Sequence, residues 1–343
     1  MITKLELKNF RLHQQLSLNF NKKIVILSGN NAVGKTSILE SIYLIATTKS
    51  HRTITDTEII TDQNEFCAIK LLNNQQEFRM VISKVGKSIF LNDVSKKRIS
   101  DYLGALKVIM FSPEDLNLIK GSPSDRRLFI DFELSLIDQG YLKLLTKYKK
   151  LIKHRNALLK TLKINDDLTL LNLLNDDLIE LNISIKEKRI NLIEQINQLL
   201  AKNRLNLDFL VQISYKPSIS DEKLKNHYLN NQKVDILQQT TTVGIHRDDY
   251  LIEINGLSAK VYASQGQQRL ITVLIKLALL EYIKNQTQDP VILLLDDILS
   301  ELDVVNQKKL INNIKVADQV FITTATKLEF DQNQVQYITL KEQ

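Results

Sequence analysis

Several residue types that mark other classes of protein are scarce in this sequence. Cys67 is the only cysteine among 343 residues, so neither an intrachain disulfide nor a cysteine-based metal cluster can form. That usage is typical of a reducing cytosol. The first residues lack the apolar centre of a signal peptide, and the richest apolar stretches, 270–280 and 291–295, are far shorter than the ~20 residues of a membrane span. We therefore expect a soluble, cytoplasmic protein without a membrane partner.

Proline and glycine are also scarce, with four and nine copies. Between residues 124 and 202 proline is absent and Gly140 is the only glycine, while leucines and isoleucines recur at helical spacing. Residues 164–167 interrupt this pattern with an N-cap signal. The segment therefore predicts two helices of roughly 35–40 residues each, arranged as an antiparallel hairpin.

Mixed α/β patterns flank the helical segment. Strands are predicted within 1–28 and at 66–72, 77–83, 108–111, 205–215, 250–254, 291–295 and 320–323, and helices at 35–46, 264–283 and 304–314. At roughly 100–200 residues per domain, this length predicts two lobes. We expect an α/β domain formed by 1–112 and 205–343, into which 113–204 are inserted as a helical lobe.

A phosphate-binding loop is predicted directly after the strands within 1–28. It reads Gly29, Asn30, Asn31, Ala32, Val33, Gly34, Lys35 and Thr36, with Ser37 next, and matches the G-x-x-x-x-G-K-[ST] pattern between an apolar strand and a helix. Backbone amides of such a loop surround a β-phosphate, the lysine contacts the β- and γ-phosphates, and the threonine ligates Mg²⁺. The alternative is a chance match on a glycine turn. Because two of only nine glycines fall at the required positions, we predict an ATP and Mg²⁺ site.

Two acids end the predicted strand 291–295. Asp296 is placed to reach the Mg²⁺ that Thr36 would hold, and Asp297 to orient or deprotonate an attacking water. The alternative interpretation is a strand followed by a polar helix cap.

A second motif opens the helix before that strand. Ser264, Gly266 and Gln267 belong to a serine–glycine–glutamine turn, followed by about 20 helical residues, the acid-ended strand and the segment 300–303. Alone, the turn would be a serine-capped helix start. Its order with the other segments is that of ABC-type ATPases, in which this motif of one subunit faces the γ-phosphate held by another. The fold expected is therefore an α/β P-loop ABC-type ATPase head with an inserted helical lobe, acting as an ATP-dependent homodimer.

The sequence resembles the RecF family over nearly its whole length. The segments that carry the resemblance are 111–116, 120–123, 126–127, 244–249, 263–269 and 293–303. The resemblance implies a weak, DNA-stimulated ATPase that dimerises on DNA at single-strand gaps and duplex junctions. It also implies RecR and RecO as partners and RecA loading as the outcome. Membership of this family would make the protein a participant in recombinational repair, replication restart and SOS induction.

Two features depart from the residues expected in such proteins, and a third residue has a counterpart in related heads. Ala32 stands where many members have glycine, which stiffens the loop. Thr324 and Ala325 stand where transporter ATPases carry a switch histidine, so slow hydrolysis is expected. Arg52 lies just beyond the phosphate-loop helix, where related heads place an arginine that senses γ-phosphate or DNA; the alternative is an ordinary surface arginine.

A basic face provides an independent indication of a nucleic-acid partner. The net charge is +7, a modest excess. Between Asp138 and Asp166 there is no acid, and the basic residues there are Lys143, Lys147, Lys149, Lys150, Lys153, Arg155, Lys160 and Lys163. Lys143, Lys147 and Lys150 share one helix face, and with Lys153 they are candidates for phosphate contacts that do not read sequence. A solvated basic helix face is the alternative.

Three other functions compete with a DNA-repair ATPase. An ATP-switched structural DNA clamp would hold DNA with negligible turnover. The ATP subunit of a membrane transporter is disfavoured by the inserted basic hairpin, the missing switch histidine and Asp297 in place of the usual glutamate. A phosphate-loop kinase would not need the serine–glycine turn.

Overall fold

A computed structural model of the chain describes residues 1–53, 55–324 and 335–341. The first compact unit comprises Met1–Asp115, Arg204–Asn206 and Val273–Gln343, and the second comprises Leu116–Asn203 and Leu207–Thr272. These units group 207–272 with the helical segment, whereas the sequence assigned that stretch to the ATPase head. A division into compact units does not test which residues form an ATPase head. The predicted domain boundaries therefore stay a prediction.

The strands and helices are numbered in the order in which they occur along the chain. The first half contains β1 (Ile2–Phe10), β2 (His13–Asn19), β3 (Ile24–Ser28), α1 (Lys35–Thr47), β4 (Phe66–Asn73), β5 (Glu77–Ser83), β6 (Gly86–Leu91), β7 (Val94–Ser95), β8 (Lys107–Phe111), α2 (Asn117–Lys120), α3 (Pro123–Ile137) and α4 (Gln139–Leu159). The second half contains α5 (Thr169–Leu200), β9 (Val211–Lys216), α6 (Asp221–Asn230), α7 (Gln232–Gln238), β10 (Asp249–Ile254), β11 (Leu257–Ser258), α8 (Ala259–Tyr262), α9 (Gln265–Gln286), β12 (Val291–Asp296), α10 (Val304–Ile314), β13 (Gln319–Thr324) and β14 (Val335–Thr339).

The first unit contains a parallel sheet that positions the candidate site. Its strand order is β14-β3-β13-β12-β8, and every pair is parallel. Carboxyl ends of parallel strands meet at one edge, where α/β proteins bind ligands. Thr323 of β13 lies opposite both Leu27 of β3 and Asp296 of β12. The register therefore brings the phosphate loop, which follows β3, next to the acids that end β12.

A six-stranded antiparallel sheet completes the first unit, in the order β2-β1-β4-β5-β6-β7. Alternate side chains of β4 and β5 are buried, which matches the period-2 pattern of their sequences. Helix α1 contacts strands of both sheets and is buried along most of its length. Its apolar residues share one core with both sheets, and Glu40 of the same helix is fully buried.

The second unit contains the predicted hairpin, but its first arm is broken. Helices α3, α4 and α5 have 15, 21 and 32 residues, so the single long first helix that the sequence predicted is wrong. The break falls at Asp138, whose carboxylate accepts the Tyr141 amide and starts a new helix. Helices α4 and α5 are antiparallel, because Asp138 pairs with Lys188 and Lys147 pairs with Asp177.

The segment Gly244–Asp249, for which no role was predicted, belongs to the second unit and is partly buried. Gly244 has φ +123°, and a Cβ there would lie 2.9 Å from each of the hydroxyls of Tyr148 and Tyr228. His246 uses both ring nitrogens, Nδ1 with the Tyr148 hydroxyl at 2.7 Å and Nε2 with the Thr241 carbonyl at 3.0 Å. Burial lowers the pKa of His246 to about 4. The segment therefore holds α4 through packing and hydrogen bonds.

Two buried ion pairs also connect separate segments of the second unit. The Arg189 guanidinium, 1% exposed, contacts Asp131 at 2.7 Å and donates to the Ile245 carbonyl at 2.8 Å. Arg155 and Asp235 are both fully buried and lie 2.7 Å apart. Buried charges are tolerated only when paired and hydrogen-bonded, and removing one partner is strongly destabilising.

One strand of the second unit is shorter than predicted. The sequence predicted a strand over 205–215, and the structure has β9 over Val211–Lys216. Asn203 and Asn206 both have positive φ, and the Asn203 side chain accepts the Leu207 amide at 2.9 Å. Asparagine tolerates this conformation and bonds its own backbone, so the residues before 211 form turns. Within the described residues, no helix combines the length and apolar character that crossing a membrane would require.

Candidate nucleotide-binding site

The loop after β3 has the backbone that its glycines permit. Gly29 and Gly34 have φ of +148° and +91°, a region that side chains rarely adopt. A Cβ at Gly34 would lie 2.4 Å from His13 Nε2, so the loop packs directly on this buried ring. Ala32, at the position where glycine was expected, adopts φ +66°. The strained loop leads straight into α1 at Lys35, and no acid occupies the first turn of that helix.

Lys35 folds over its own loop. Its Nζ donates to the carbonyls of Gly29 and Asn30, at 2.7 Å each. The ammonium is therefore held beside the loop amides, and contacts with phosphates would replace two neutral carbonyl acceptors by charged ones. Such charge-assisted hydrogen bonds are roughly twice as strong as neutral ones.

The predicted magnesium ligands meet across 260 residues of sequence. Thr36 Oγ1 donates to Asp296 Oδ1 at 2.9 Å, and Thr323 Oγ1 donates to the same oxygen at 2.8 Å. Burial raises the pKa of Asp296, and the hydrogen bonds from Thr323 and Thr36 oppose that rise. Both of these donors are neutral hydroxyls. A nearby cation would therefore stabilise the charged form of the desolvated Asp296 carboxylate.

A cavity of about 360 Å³ opens in front of these groups. Its lining brings together seven of the residues predicted to contact nucleotide: Asn31, Ala32, Gly34, Lys35, Thr36, Ser37 and Arg52. Asp297 joins them, as do Leu12 and Thr323. Gly29, Asn30 and Val33 belong to the loop but are not in this lining. The pattern in the sequence therefore corresponds to one continuous depression at the edge of the parallel sheet.

Asp297 has a backbone that is unusual for its position. Its φ is +53°, its amide donates to Thr323 Oγ1 at 2.9 Å, and its side chain is exposed at the cavity. A strained residue at a cavity is a common feature of functional sites. The carboxylate remains a candidate for orienting water.

The residues fit Mg²⁺ with a nucleotide phosphate. Magnesium takes one or two protein oxygens and completes its shell with phosphates and waters. The hydroxyl of Thr36 and the carboxylate of Asp296 supply two such oxygens. Among the described residues, no group of three or more histidines, cysteines or acids could form an all-protein metal cage. The donor set is therefore of the kind that holds Mg²⁺ together with a phosphate.

The serine–glycine turn belongs to the second unit and differs from the loop. Ser264 Oγ accepts the Gln267 amide at 3.2 Å, and Gln267 Oε1 accepts the Ser264 amide at 2.8 Å, which forms a capping box. Ser264 and Gly266 are exposed, and a Cβ at Gly266 would meet nothing within 4 Å. The serine cap expected from the simpler interpretation is present, and the anion-binding role stays a prediction.

The candidate DNA residues form an exposed face of α4. Lys143, Lys147, Lys150 and Lys153 are all exposed, and Lys147 forms an exposed pair with Asp177 at 3.1 Å. Arg155, which the sequence grouped with them, is buried against Asp235 and is not part of that surface. Thr324 ends β13, and Ala325 lies outside the described residues.

Sequence reasoning missed several residues around the cavity. Leu12 and His13 follow β1, and nothing in their local pattern distinguishes them from strand residues. Thr323 was placed in a strand, and the meeting of parallel strand ends could have identified it. No local sequence pattern identified Glu40, because its partners Arg11, Ser50 and Arg52 come from other segments of the chain.

Comparisons with known proteins agree with this geometry. The profile of the RecF/RecN/SMC N terminal domain family matches residues 1–343. The DNA replication and repair protein RecF of Acholeplasma laidlawii (strain PG-8A) is 46% identical over 326 residues, which cover 95% of this chain and 93% of that protein. RecF of Bacillus cytotoxicus is 37% identical over 342 residues, covering 95% and 92%.

Solved structures give the same assignment. A structure of the recombination mediator protein RecF with ATP, from the RecFOR pathway, matches with TM-score 0.89 and 30% identity, over 96% of this chain and 93% of that one. An Smc head bound to the C-winged helix domain of ScpA matches with TM-score 0.56 and 17% identity, over 95% and 89%, which shows a shared fold. The predicted ABC-type α/β head fold is thus confirmed, and the chain belongs to the RecF family within the RecF/RecN/SMC group.

Proposed function

We propose that this chain is an ATP-dependent DNA-repair ATPase that acts in the cytoplasm. It binds ATP and Mg²⁺, dimerises, and binds DNA at single-strand gaps and at junctions of duplex and single strand. With RecR and RecO it promotes RecA loading. The observation that carries the proposal is the hydrogen bond between Thr36 Oγ1 and Asp296 Oδ1 at 2.9 Å, behind a glycine loop. The relatives' name, DNA replication and repair protein, supports the repair role.

Different residues at the cavity have different roles in this proposal. Amides of residues 29–34 and the Lys35 ammonium bind phosphate oxygens, while Thr36 and Asp296 hold the metal. When bound, Mg²⁺ neutralises negative charge on the phosphates. Asp297 accepts a hydrogen bond from the attacking water and so orients it, or takes its proton as a general base. Because Thr324 stands where transporter ATPases have histidine, we infer slow hydrolysis.

The turn at Ser264 contributes to assembly. Its exposed serine, Gly266 and Gln267 would face the terminal phosphate held by a second copy of the chain. In this proposal the ATPase head comprises 1–112 and 205–343, and the inserted helical lobe comprises 113–204. The exposed lysines of α4, Lys143, Lys147, Lys150 and Lys153, would contact DNA phosphates without reading sequence.

Size-exclusion chromatography with light scattering tests this proposal. The purified chain is run with and without ATP and Mg²⁺, and with and without a gapped duplex. We expect a monomer alone, a dimer with ATP, and a dimer–DNA complex with both ligands. A chain that stays monomeric under all four conditions would contradict the proposal. ATP turnover measured in the same samples separates an ATPase from an ATP-switched clamp, which would form the dimer with negligible hydrolysis.

A further inference from the structure

A buried carboxylate lies behind the wall of the nucleotide cavity. Glu40 in α1 is 0% exposed, and Arg11 donates to it twice, from Nη2 to Oε1 at 2.6 Å and from Nε to Oε2 at 3.0 Å. Burial acts to raise the pKa of Glu40, but the hydrogen bonds from Arg11 and Ser50 outweigh it and leave the pKa below its ordinary value. Glu40 is therefore a buried, ionised group with a permanent counter-charge.

The same carboxylate organises the segment that follows α1. Ser50 Oγ donates to Glu40 Oε1 at 2.6 Å. That hydroxyl also accepts the amides of Arg52 at 3.0 Å and Thr53 at 3.2 Å. Glu40, through one serine, thus fixes the backbone from which the Arg52 side chain projects.

Arg52 itself is held loosely. Its Nη1 lies 3.5 Å from Glu40 Oε2, at the limit of a hydrogen bond, and its side chain is 42% exposed. Arg11, by contrast, is 19% exposed and makes two short contacts. The Arg52 side chain also lines the cavity of the phosphate loop. Glu40 would keep its neutralising partner, Arg11, if the Arg52 guanidinium moved to another anion.

We propose that Glu40 is a positioning residue that holds Arg52 at the cavity for the terminal phosphate of a nucleoside triphosphate. Ser50 sets the backbone of Arg52, the carboxylate orients its guanidinium, and Arg11 balances the charge so that Arg52 is free to bind the phosphate. The inference rests on the proposed nucleotide site and adds the basis on which triphosphate is distinguished from diphosphate. A purely structural ion pair would instead stabilise the unit without affecting that discrimination.

A double-mutant cycle on nucleotide affinity tests the proposal. The dissociation constants of ADP and of a non-hydrolysable ATP analogue are measured with Mg²⁺, below the protein concentration at which the wild-type chain dimerises. The variants are Glu40→Gln, Arg52→Ala and the double variant, with the exposed Glu65→Gln as matched control. The ratio of the ADP constant to the analogue constant reports terminal-phosphate recognition.

We expect this ratio to fall roughly tenfold or more in Arg52→Ala, the effect of one charge-assisted hydrogen bond. Glu40→Gln should lower it by a similar factor, the double variant should fall no further, and Glu65→Gln should match the wild type. A Glu40→Gln chain that keeps the wild-type ratio, or whose loss multiplies with that of Arg52→Ala, would overturn the proposal.

The variant Ser50→Ala distinguishes a loss of positioning from a folding defect caused by Glu40→Gln. It removes only the hydroxyl between Glu40 and the Arg52 backbone, so the ratio should fall while thermal unfolding stays near that of the wild type; an unchanged ratio counts against the proposal. If the wild-type chain and Glu65→Gln bind neither nucleotide, the proposed function itself fails. If both bind normally and Arg52→Ala keeps the ratio, only the present inference fails.

Discussion

The two compact units carry their polar groups in different ways. In the first unit the polar groups converge on one cavity, where a strained glycine loop, Lys35 and the Thr36–Asp296 pair line or back the same depression. In the second unit buried charged groups pair with one another instead, as Arg189 does with Asp131 and Arg155 with Asp235. The Ser264 turn remains on the surface.

This difference indicates what each unit can do alone. The first unit holds the groups proposed to bind phosphate and metal, so nucleotide binding is expected of a single chain. The turn of the second unit is already satisfied as a helix cap. Its proposed role therefore depends on a second copy of the chain, and the two units should respond differently to substitution.

The largest expected effect separates ATP hydrolysis from ATP-dependent dimerisation. Asp297→Asn removes the exposed carboxylate but keeps its size, so ATP turnover should fall by roughly a hundredfold or more. ATP binding and ATP-dependent dimerisation should persist, because the loop and the turn are intact. Steady-state phosphate release and light scattering measure both properties. Turnover at the wild-type rate would place the water-orienting group elsewhere.

A matched pair of glycine substitutions compares the two motifs directly. Gly34→Ala introduces a Cβ 2.4 Å from His13 at φ +91°, and we expect it to lower the free energy of unfolding by about 1–3 kcal/mol and to weaken ATP binding. Gly266→Ala meets nothing within 4 Å in a helix, so stability should stay equal or rise by up to about 1 kcal/mol. Denaturant unfolding and nucleotide titration check both. Equal losses in the two variants would contradict the contrast.

The second unit should lose stability in acid through His246. Because its pKa in the fold is about 4 against an ordinary 6.5, the unfolded chain binds the proton first as the pH falls. This contribution to stability is complete above about pH 6.5 and is lost between 6.5 and 4. Between pH 7 and 5 the wild type should lose about 2 kcal/mol more than His246→Gln, which cannot titrate. Parallel pH profiles in denaturant unfolding would show that His246 is not the responsible group.

The smallest expected effect concerns the lysine face of α4. Replacing Lys143, Lys147 and Lys150 with glutamine should reduce the slope of log affinity for duplex against log salt by up to about 0.9 per lost phosphate contact. Affinity should fall alike for every sequence, and ATP-dependent dimerisation without DNA should not change. An unchanged slope would leave these lysines as a solvated face.

The sequence predicted the elements of the site better than their surroundings. The loop 29–36, the strand before Asp296 and the helix at 304–314 follow from local patterns, because each combines a motif with a clear period. The break at Asp138 was missed since an aspartate can continue a helix or cap a new one, and only packing decides between them.

Long-range pairing explains the remaining errors. Glu40 lies in an apolar helix pattern, and its partners at Arg11 and Ser50 come from other segments of the chain. The sequence grouped Arg155 with the exposed basic residues of α4. In the structure Arg155 is buried and pairs with Asp235, which is 80 residues away in the sequence. Such partners depend on the tertiary fold, so no spacing within one helix predicts them.

A mixing experiment tests the central claim, that a loop in one chain works with a serine turn in another. Lys35→Ala removes the ammonium proposed to bind phosphate, and Ser264→Arg places bulk and charge on the exposed turn. With ATP and Mg²⁺, each variant alone should remain monomeric, since every site it could form is defective. Ser264→Arg should still bind ATP.

Mixing the two variants with different fluorophores is the most direct measurement. Their heterodimer contains one site in which an intact loop meets an intact turn, so energy transfer between the fluorophores should appear only with ATP and only in the mixture. A mixture that gives no more dimer than the separate chains, or dimers of wild-type yield from either variant alone, would contradict the account.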